Sequence, residues 1–261
     1  MPRLLESWPE IAKRVRLARR VALFLDFDGT LSPITDRQED ALLERGTRAV
    51  LSRLAGNPRV SAYVISGRWW ADIRARVAVP GVRYLGIQGW DVDGQNAAAP
   101  ELLQKIAEVS SRLAARLNGT AGVRIENKGV SFALHYRGAG DCAIRQAGAL
   151  LHEILADYGE TLRVMEGDRA WEVLPREIRG KGYAARKEWQ RWGTGVLPVY
   201  LGNDGTDEAA FQALASGVTA RVGRAHPSRA RYRLRNPAEV RRFLELLEEE
   251  MRWQGRRGSK L

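Results

Sequence analysis

The sequence predicts an α/β fold: an open, mostly parallel sheet with helices on both faces, interrupted by a smaller inserted α/β domain. Three features predict it. Short apolar runs alternate with helical segments between residues 20 and 90. Over 91–176 that rhythm gives way to hairpin-like strand pairs set between helices. From Lys181 the first rhythm returns and runs to a closing helix. Strand–helix–strand repetition points to parallel pairing, because a parallel connection needs a crossover element to carry the chain back.

Each element follows from its local pattern. Met1–Arg20 scatters apolar residues among Arg and Glu, as a surface helix packed on the domain would. Val21–Asp26 (VALFLD) is an apolar run ending in a carboxylate, which fits a parallel strand buried on both faces. Ala41–Leu54 has helical spacing, Val60–Ser66 reads as the second strand, Trp69–Val77 as a helix and Val82–Gln88 as the third strand. Asp91–Pro100, rich in Asp, Gly, Asn and Ala, reads as a linker or turn. Within the insert, Glu101–Leu117 is an expected helix. Val123–Glu126 and Val130–Tyr136 are alternating strands joined at Asn127–Gly129. Ala143–Tyr158 is another helix, and Leu162–Glu166 and Ala170–Leu174 form a hairpin turning at Gly167–Asp168. Then come helix Lys181–Trp192, strand Leu197–Leu201, helix Asp207–Ala215, strand Val218–Val222 and the closing helix Pro237–Arg252. The expected core is therefore 1–90 with 177–261, and the expected insert 91–176.

Composition narrows the class. The chain has 261 residues, 44% of them hydrophobic and 28% charged, as in an ordinary globular protein with a sizeable core. No apolar run approaches the ~18 residues of a membrane helix. The N-terminal segment lacks the apolar centre of a secretion signal. The lone Cys142 cannot close an intrachain disulfide. These features point to a cytoplasmic protein without a membrane partner, and a monomer is expected. The net charge of +11 is carried almost wholly by arginine. The arginines are spread along the chain, with local density only at Arg14–Arg20, Arg221–Arg235 and Arg252–Arg257 and no aromatic-interleaved binding module, so the pattern argues for a solvated basic surface rather than a nucleic-acid interface. Such a surface also attracts an anionic phosphate ester at long range.

The chemistry-bearing motifs fall where a parallel sheet binds its ligands, at the carboxyl ends of strands. Asp26-Phe27-Asp28-Gly29-Thr30 leaves the first strand. Alternate residues leaving a strand direct two carboxylates toward one cleft. Gly29 permits a sharp turn, and Thr30 offers a hydroxyl near a helix start. Ile65-Ser66-Gly67-Arg68 ends the second strand, and Lys181-Gly182 opens the helix after the insert. Gly202-Asn203-Asp204-Gly205-Thr206-Asp207-Glu208 ends a later strand. No His/Cys cluster suggests zinc.

These motifs, in this order, resemble those of the haloacid dehalogenase (HAD) superfamily, whose phosphatases carry DxDx[TV] after the first strand. The resemblance covers residues 20–225 and implies a HAD-type Rossmann-like core with an inserted C2-type α/β cap. It narrows to the trehalose-6-phosphate phosphatase family through Leu31-Ser32-Pro33-Ile34, the stretch Glu126 to Arg137 (ENKGVSFALHYR) and Glu172-Val173-Leu174-Pro175. The family implies hydrolysis of trehalose 6-phosphate, a step of trehalose biosynthesis, with Mg2+ as cofactor and a small sugar phosphate as partner. By position, Asp26 would be the nucleophile that forms an aspartyl phosphate. Asp28 would be the acid and then the base, and Lys181 the charge that balances Asp26 and the phosphate. Thr30 and Ser66 would bind phosphate. Asp26, the Asp28 carbonyl and either Asn203 or Asp204 would hold the metal, with Asp207 a candidate for holding its waters. Arg68, Glu126, Lys128, His135, Arg137 and Glu172 would bind the substrate, the last five as candidates for its sugar hydroxyls. Trp69, Trp70 and Trp90 are further candidates to stack on it, or core residues.

Two segments depart from the family pattern. Asn203 stands where the fourth motif usually has its first acidic residue, and Gly86-Ile87-Gln88-Gly89-Trp90 replaces a GxHG-like segment. The alternatives are therefore a phosphatase of another sugar or glycosylglycerate phosphate and, from a different class, a catalytically weak regulatory or binding domain.

Overall fold

A computed structural model of the chain describes residues 1–258 apart from Asp36, Asn96, Ala97, Asp168 and Ala225. Residues Met1–Gly94, with the chain from Gly180 onward, form one compact unit, and Gln95–Arg179 form a second.

The first unit contains α1 (Trp8–Leu17), β1 (Arg20–Leu25), α2 (Arg45–Ala55), β2 (Val60–Ile65), α3 (Trp70–Val77), β3 (Arg83–Gly86) and β4 (Asp91–Val92). The second contains α4 (Pro100–Leu117), β5 (Arg124–Asn127), β6 (Phe132–His135), α5 (Asp141–Leu155), β7 (Leu162–Gly167) and β8 (Ala170–Pro175). The first unit resumes with α6 (Lys181–Gln190), β9 (Val196–Gly202), α7 (Glu208–Ala213), β10 (Val218–Val222), β11 (Tyr232–Leu234) and α8 (Pro237–Gly258).

The sheet of the first unit runs β11-β10-β9-β1-β2-β3-β4. Its pairs are parallel except β3 with β4. The order follows from burial. β1 is apolar throughout, so both its faces must be covered. Val21, Leu23 and Leu25 pack with residues of α1, α2 and α8. Ala22 and Phe24 pack against Ala184 and Ala185 of α6 and Ala210 and Phe211 of α7. After β1 the chain moves toward β2, and after β9 it moves the other way, toward β10. The β1/β9 boundary is thus the switch point at which such sheets leave a crevice beyond the strand ends. α6 and α7 approach closely because position 182 is glycine. A Cβ there would lie 2.5 Å from the Ala209 carbonyl oxygen.

The second unit is a four-stranded antiparallel sheet, β5-β6-β8-β7. Ile125, Phe132, Leu134, Val164, Trp171 and Val173 pack with α4 and α5 on one face. By the two-residue period of strands, Glu126, Ala133, His135, Glu172 and Leu174 belong to the other face.

Several boundaries differ from the sequence reading. Asp91–Val92 is not linker but the antiparallel edge strand of the first unit. The second unit therefore begins at Gln95 rather than 91, and it extends past Pro175 to Arg179. Ala41–Glu44 is not helical, and α2 starts at Arg45. Before it, the carbonyls of Glu39 and Ala41 accept from the Arg76 guanidinium. The third strand stops at Gly86, because Ile87 and Gln88 adopt left-handed conformations with φ of 48° and 58°. β11 was not anticipated: a three-residue YRL strand among arginines carries no alternation to read. The closing helix continues to Gly258 rather than Arg252. Asp168 of the expected hairpin turn, and Asn96 and Ala97 of the expected linker, lie outside the described residues. Among the described residues no helix is long and apolar enough to cross a membrane.

Candidate active site

Asp26 follows β1 and continues the Ala22–Phe24 series, so its side chain points to the α6 face. There Lys181, the first residue of α6, donates from Nζ to Asp26 Oδ1 at 2.8 Å and to Asp207 Oδ1 at 2.9 Å. All three side chains are buried. Burial alone would favour the neutral amine. The charges of Asp207 and Asp26 override it and hold Lys181 protonated well above the ordinary lysine value.

Asp207 was named from sequence as a candidate for holding metal waters, and the structure gives it another task. Oδ1 also accepts from the Tyr200 hydroxyl at 2.7 Å. Oδ2 accepts from the backbone N–H groups of Asn203 (2.8 Å) and Asp204 (3.1 Å). Its acceptor positions are filled, so Asp207 shapes the loop after β9 and anchors Lys181. Gly202 has no room for a side chain, since a Cβ would lie 2.3 Å from Asp207 Cγ. The Tyr200 contribution escaped the sequence reading because a tyrosine inside an apolar strand reads as core.

Asp204 Oδ1 accepts from Thr206, from N–H at 2.8 Å and from Oγ1–H at 2.6 Å, in a reciprocal cap with Asp207. Desolvation pushes the Asp204 carboxyl up, but Lys181 and the Thr206 hydrogen bonds outweigh it, and the net direction is down. Asn203 points elsewhere. Its Nδ2 would lie 2.2 Å from a Cβ at Gly29, so its side chain fills the space above the turn after Asp28. Gly29, at φ 83°, is therefore required twice, by conformation and by contact.

The Asp26 carboxyl is raised well above the usual range. Burial is the main cause, Lys181 opposes it, and repulsion from Asp207 and Asp204 adds to it. Asp26 Oδ2 is buried and has no hydrogen-bond partner among the described residues, and the same holds for Thr30 Oγ1. Ser66 is buried, and its Oγ accepts from the Arg68 N–H at 3.1 Å. Asp28 is bound through both carboxylate oxygens by Arg68, at 2.7 and 2.8 Å.

This donor set fits a divalent cation. One ammonium faces three buried or partly buried carboxylates, Asp26, Asp204 and Asp207. An orphaned carboxylate oxygen, Asp26 Oδ2, lies in that negative field. No three His, Cys, Asp or Glu side chains converge as a metal centre among the described residues. Backbone carbonyl, amide and water donors would complete the set, as suits magnesium, which keeps several waters.

In the second unit, residues predicted to bind sugar come together on the sheet face opposite the helices. His135 Nε2 lies 2.7 Å from Glu126 Oε2, and Lys128 Nζ donates to Glu172 Oε1 at 3.2 Å. Arg137 lies in the exposed turn after β6, off the strand face. Trp69 is exposed, whereas Trp70, under Arg74 at 5.1 Å, is partly buried and packs against the core of the first unit.

A carboxylate-bearing switch point, a lysine at the head of the helix after the second unit and an acidic loop after β9 define a HAD-type core. The comparisons with known proteins agree. Residues 24–238 match the trehalose-phosphatase family. An uncharacterized glycosyl hydrolase of Mycobacterium tuberculosis is 36% identical over 95% of this chain, which covers 20% of that protein. A trehalose-phosphate phosphatase of Mycobacterium avium is 38% identical over 76% of this chain and 52% of its own length. The trehalose-6-phosphate phosphatase structure from Aspergillus fumigatus has a TM-score of 0.67 at 26% identity, covering 95% of this chain and 99% of that one. The chain belongs to the trehalose-phosphatase family. It spans about a fifth to about half of the lengths of these two curated relatives.

The Lys181–Asp207–Tyr200 arrangement makes a direct prediction. Asp207→Asn must turn an amide NH2 toward groups that donate, on one side or the other, and it removes a charge from a buried lysine. The loss of folding stability is expected at about 3–5 kcal/mol, against about 1 kcal/mol for Tyr200→Phe. Denaturant midpoints measure both. A loss for Asp207→Asn no larger than for Tyr200→Phe would contradict the anchoring role.

Proposed function

We propose that this chain is a magnesium-dependent phosphatase that hydrolyses trehalose 6-phosphate through an aspartyl phosphate on Asp26. The observation that carries the reading is the state of Asp26. It lies buried at the switch point, one oxygen held by Lys181 and the other without a hydrogen-bond partner among the described residues. Family membership supports the phosphatase activity and the substrate.

In this reading Asp26 attacks phosphorus, and the P–O bond to the sugar breaks as Asp28 gives the leaving oxygen its proton. Water then attacks phosphorus, its proton passes to Asp28, and the P–O bond to Asp26 breaks. Lys181 fixes the attacking carboxylate and offsets charge on it. The Thr30 hydroxyl and Ser66 supply hydrogen bonds to phosphoryl oxygens. Mg2+, held by Asp26, the Asp28 carbonyl and Asn203 or Asp204, would supply the charge that neutralises the transferring phosphoryl group. The commitment of Asp204 Oδ1 to Thr206 supports Asn203 over Asp204. Glu126, Lys128, His135 and Glu172 are the proposed sugar contacts. Their paired donors and acceptors suit a polyol, because a missing hydroxyl would strand a buried partner.

Phosphate release from a panel of phosphorylated sugars, with p-nitrophenyl phosphate as reference, tests the substrate. Trehalose 6-phosphate should give the highest kcat/KM. Glu126→Ala, Lys128→Ala and His135→Ala should reduce it at least tenfold more than they reduce turnover of the aryl ester, roughly the worth of one stranded polar contact. Equal losses on both esters would assign these residues to folding rather than sugar selection.

A magnesium titration tests the metal ligands. Asn203→Asp adds a negative charge at a proposed ligand, so half-maximal activity should come at lower magnesium than in the wild type. Asp204→Asn should change the magnesium requirement less than Asn203→Ala does. The reverse order would make Asp204 the ligand.

A further inference from the structure

Arg68 was expected to touch substrate, and the structure turns three of its donors to carboxylates. Its Nε–H donates to Asp28 Oδ2 at 2.8 Å and its Nη2–H to Asp28 Oδ1 at 2.7 Å. Its Nη1–H donates to Asp72 Oδ2 at 2.8 Å. Asp72 Oδ1 accepts from Arg76 Nε at 2.8 Å, and Arg76 Nη1 in turn donates to the Glu39 and Ala41 carbonyls. The Arg68 side chain is only 7% exposed, whereas that of Asp28 is 41% exposed. The guanidinium also lies 5.6 Å from the Phe27 ring centroid. Its backbone is fixed on both sides: its N–H donates to Ser66 Oγ, and its carbonyl accepts from the Ile87 N–H at 2.9 Å.

We propose that Arg68 is a positioning residue for Asp28, and that Asp72 positions Arg68. A guanidinium fork on both oxygens fixes the place and the plane of a carboxylate, which a single ammonium cannot do. The fork uses one lone pair on each oxygen and leaves the other free to exchange a proton. Asp28 protrudes toward solvent on a turn and is not held by packing of its own. The buried, doubly paired arginine supplies the rigidity that general acid and base chemistry needs, where a misplacement of about 1 Å costs about 10²-fold. Asp72 matters because a buried guanidinium needs its charge matched on more than one side. The chain of contacts ties the acid–base carboxylate to α3 and to the segment before α2.

This assignment rests on the phosphatase reading above, in which Asp28 handles the proton. The test compares kcat/KM for a sugar phosphate (trehalose 6-phosphate, or whichever ester the panel selects) with kcat/KM for p-nitrophenyl phosphate. The ratio kcat/KM reports the steps through release of the first product, and nitrophenolate leaves without needing a proton. Arg68→Lys should lower the sugar-phosphate value about 10²-fold and the aryl value by less than about tenfold. In an Asp28→Asn background, Arg68→Lys should cost neither ester anything further, as expected of residues acting as one unit. Asp72→Asn should show the same pattern at smaller size, and it carries the cycle if Arg68→Lys does not fold. Equal losses on both esters, or a loss undiminished in the Asp28→Asn background, would overturn the proposal and return Arg68 to substrate binding or folding. A wild-type protein inactive on both esters, or an Asp28→Asn variant as fast as the wild type, would sink the phosphatase reading and the proposal with it.

Discussion

The site depends on one buried ammonium. Lys181 Nζ bridges the carboxylates that follow β1 and β9, and its own backbone begins α6. Three separate stretches of chain are therefore fixed to one atom. The arrangement is demanding, because a buried lysine with one partner removed is a buried unpaired charge. Its partners are also anchored. Asp207 is held by Tyr200 and by two backbone N–H groups, so the loop after β9 can take few other forms. Asp26 is held at the end of a strand that packs on both faces. The geometry of the Asp26 carboxylate is set by the core of the fold rather than by loops.

The same atom leaves a charge deficit. Asp26, Asp204 and Asp207 bring more negative charge than Lys181 returns, and that repulsion adds to the burial that is the main cause raising the Asp26 carboxyl. A proton or a cation can relieve that deficit. In a catalyst that needs Asp26 ionised as a nucleophile, a divalent cation relieves it without cost to reactivity. Asp28 is kept out of this balance by its own partner. Arg68 neutralises it, and Asp72 neutralises Arg68 in part. The two carboxylates thus sit two residues apart in sequence but in different electrostatic settings, one against lysine and one against arginine. Separate environments are what allow two like groups to take nucleophilic and proton-transfer roles.

Much of this was legible from sequence, for physical reasons that differ by residue. β1 declared itself because a doubly covered parallel strand must be apolar throughout, and Asp26 stood out as the carboxylate that ends it. Glu126, His135 and Glu172 could be grouped because strand alternation puts them on one face. Lys181 could be placed at a helix start, but not against Asp207, since that pairing joins residues across a crossover. Tyr200 was invisible, because inside VLPVYLG it satisfies the apolar pattern. Arg68 was named as a substrate-binding residue. Its carboxylate partners Asp28 and Asp72 lie on different elements, and only the folded chain brings them to the same guanidinium. The early end of β3 was likewise hidden, because Ile87 fits a strand in composition and departs from it only in φ.

The central claim is that Asp26 carries phosphate during turnover. Acid quenching in the steady state, followed by borohydride reduction and peptide mass spectrometry, reads it directly, because an acyl phosphate is reduced to the alcohol and converts aspartate to homoserine. The account predicts homoserine at position 26, dependent on added sugar phosphate and magnesium, and absent at position 28. Conversion at Asp28, or active turnover with no conversion at any aspartate, would contradict it.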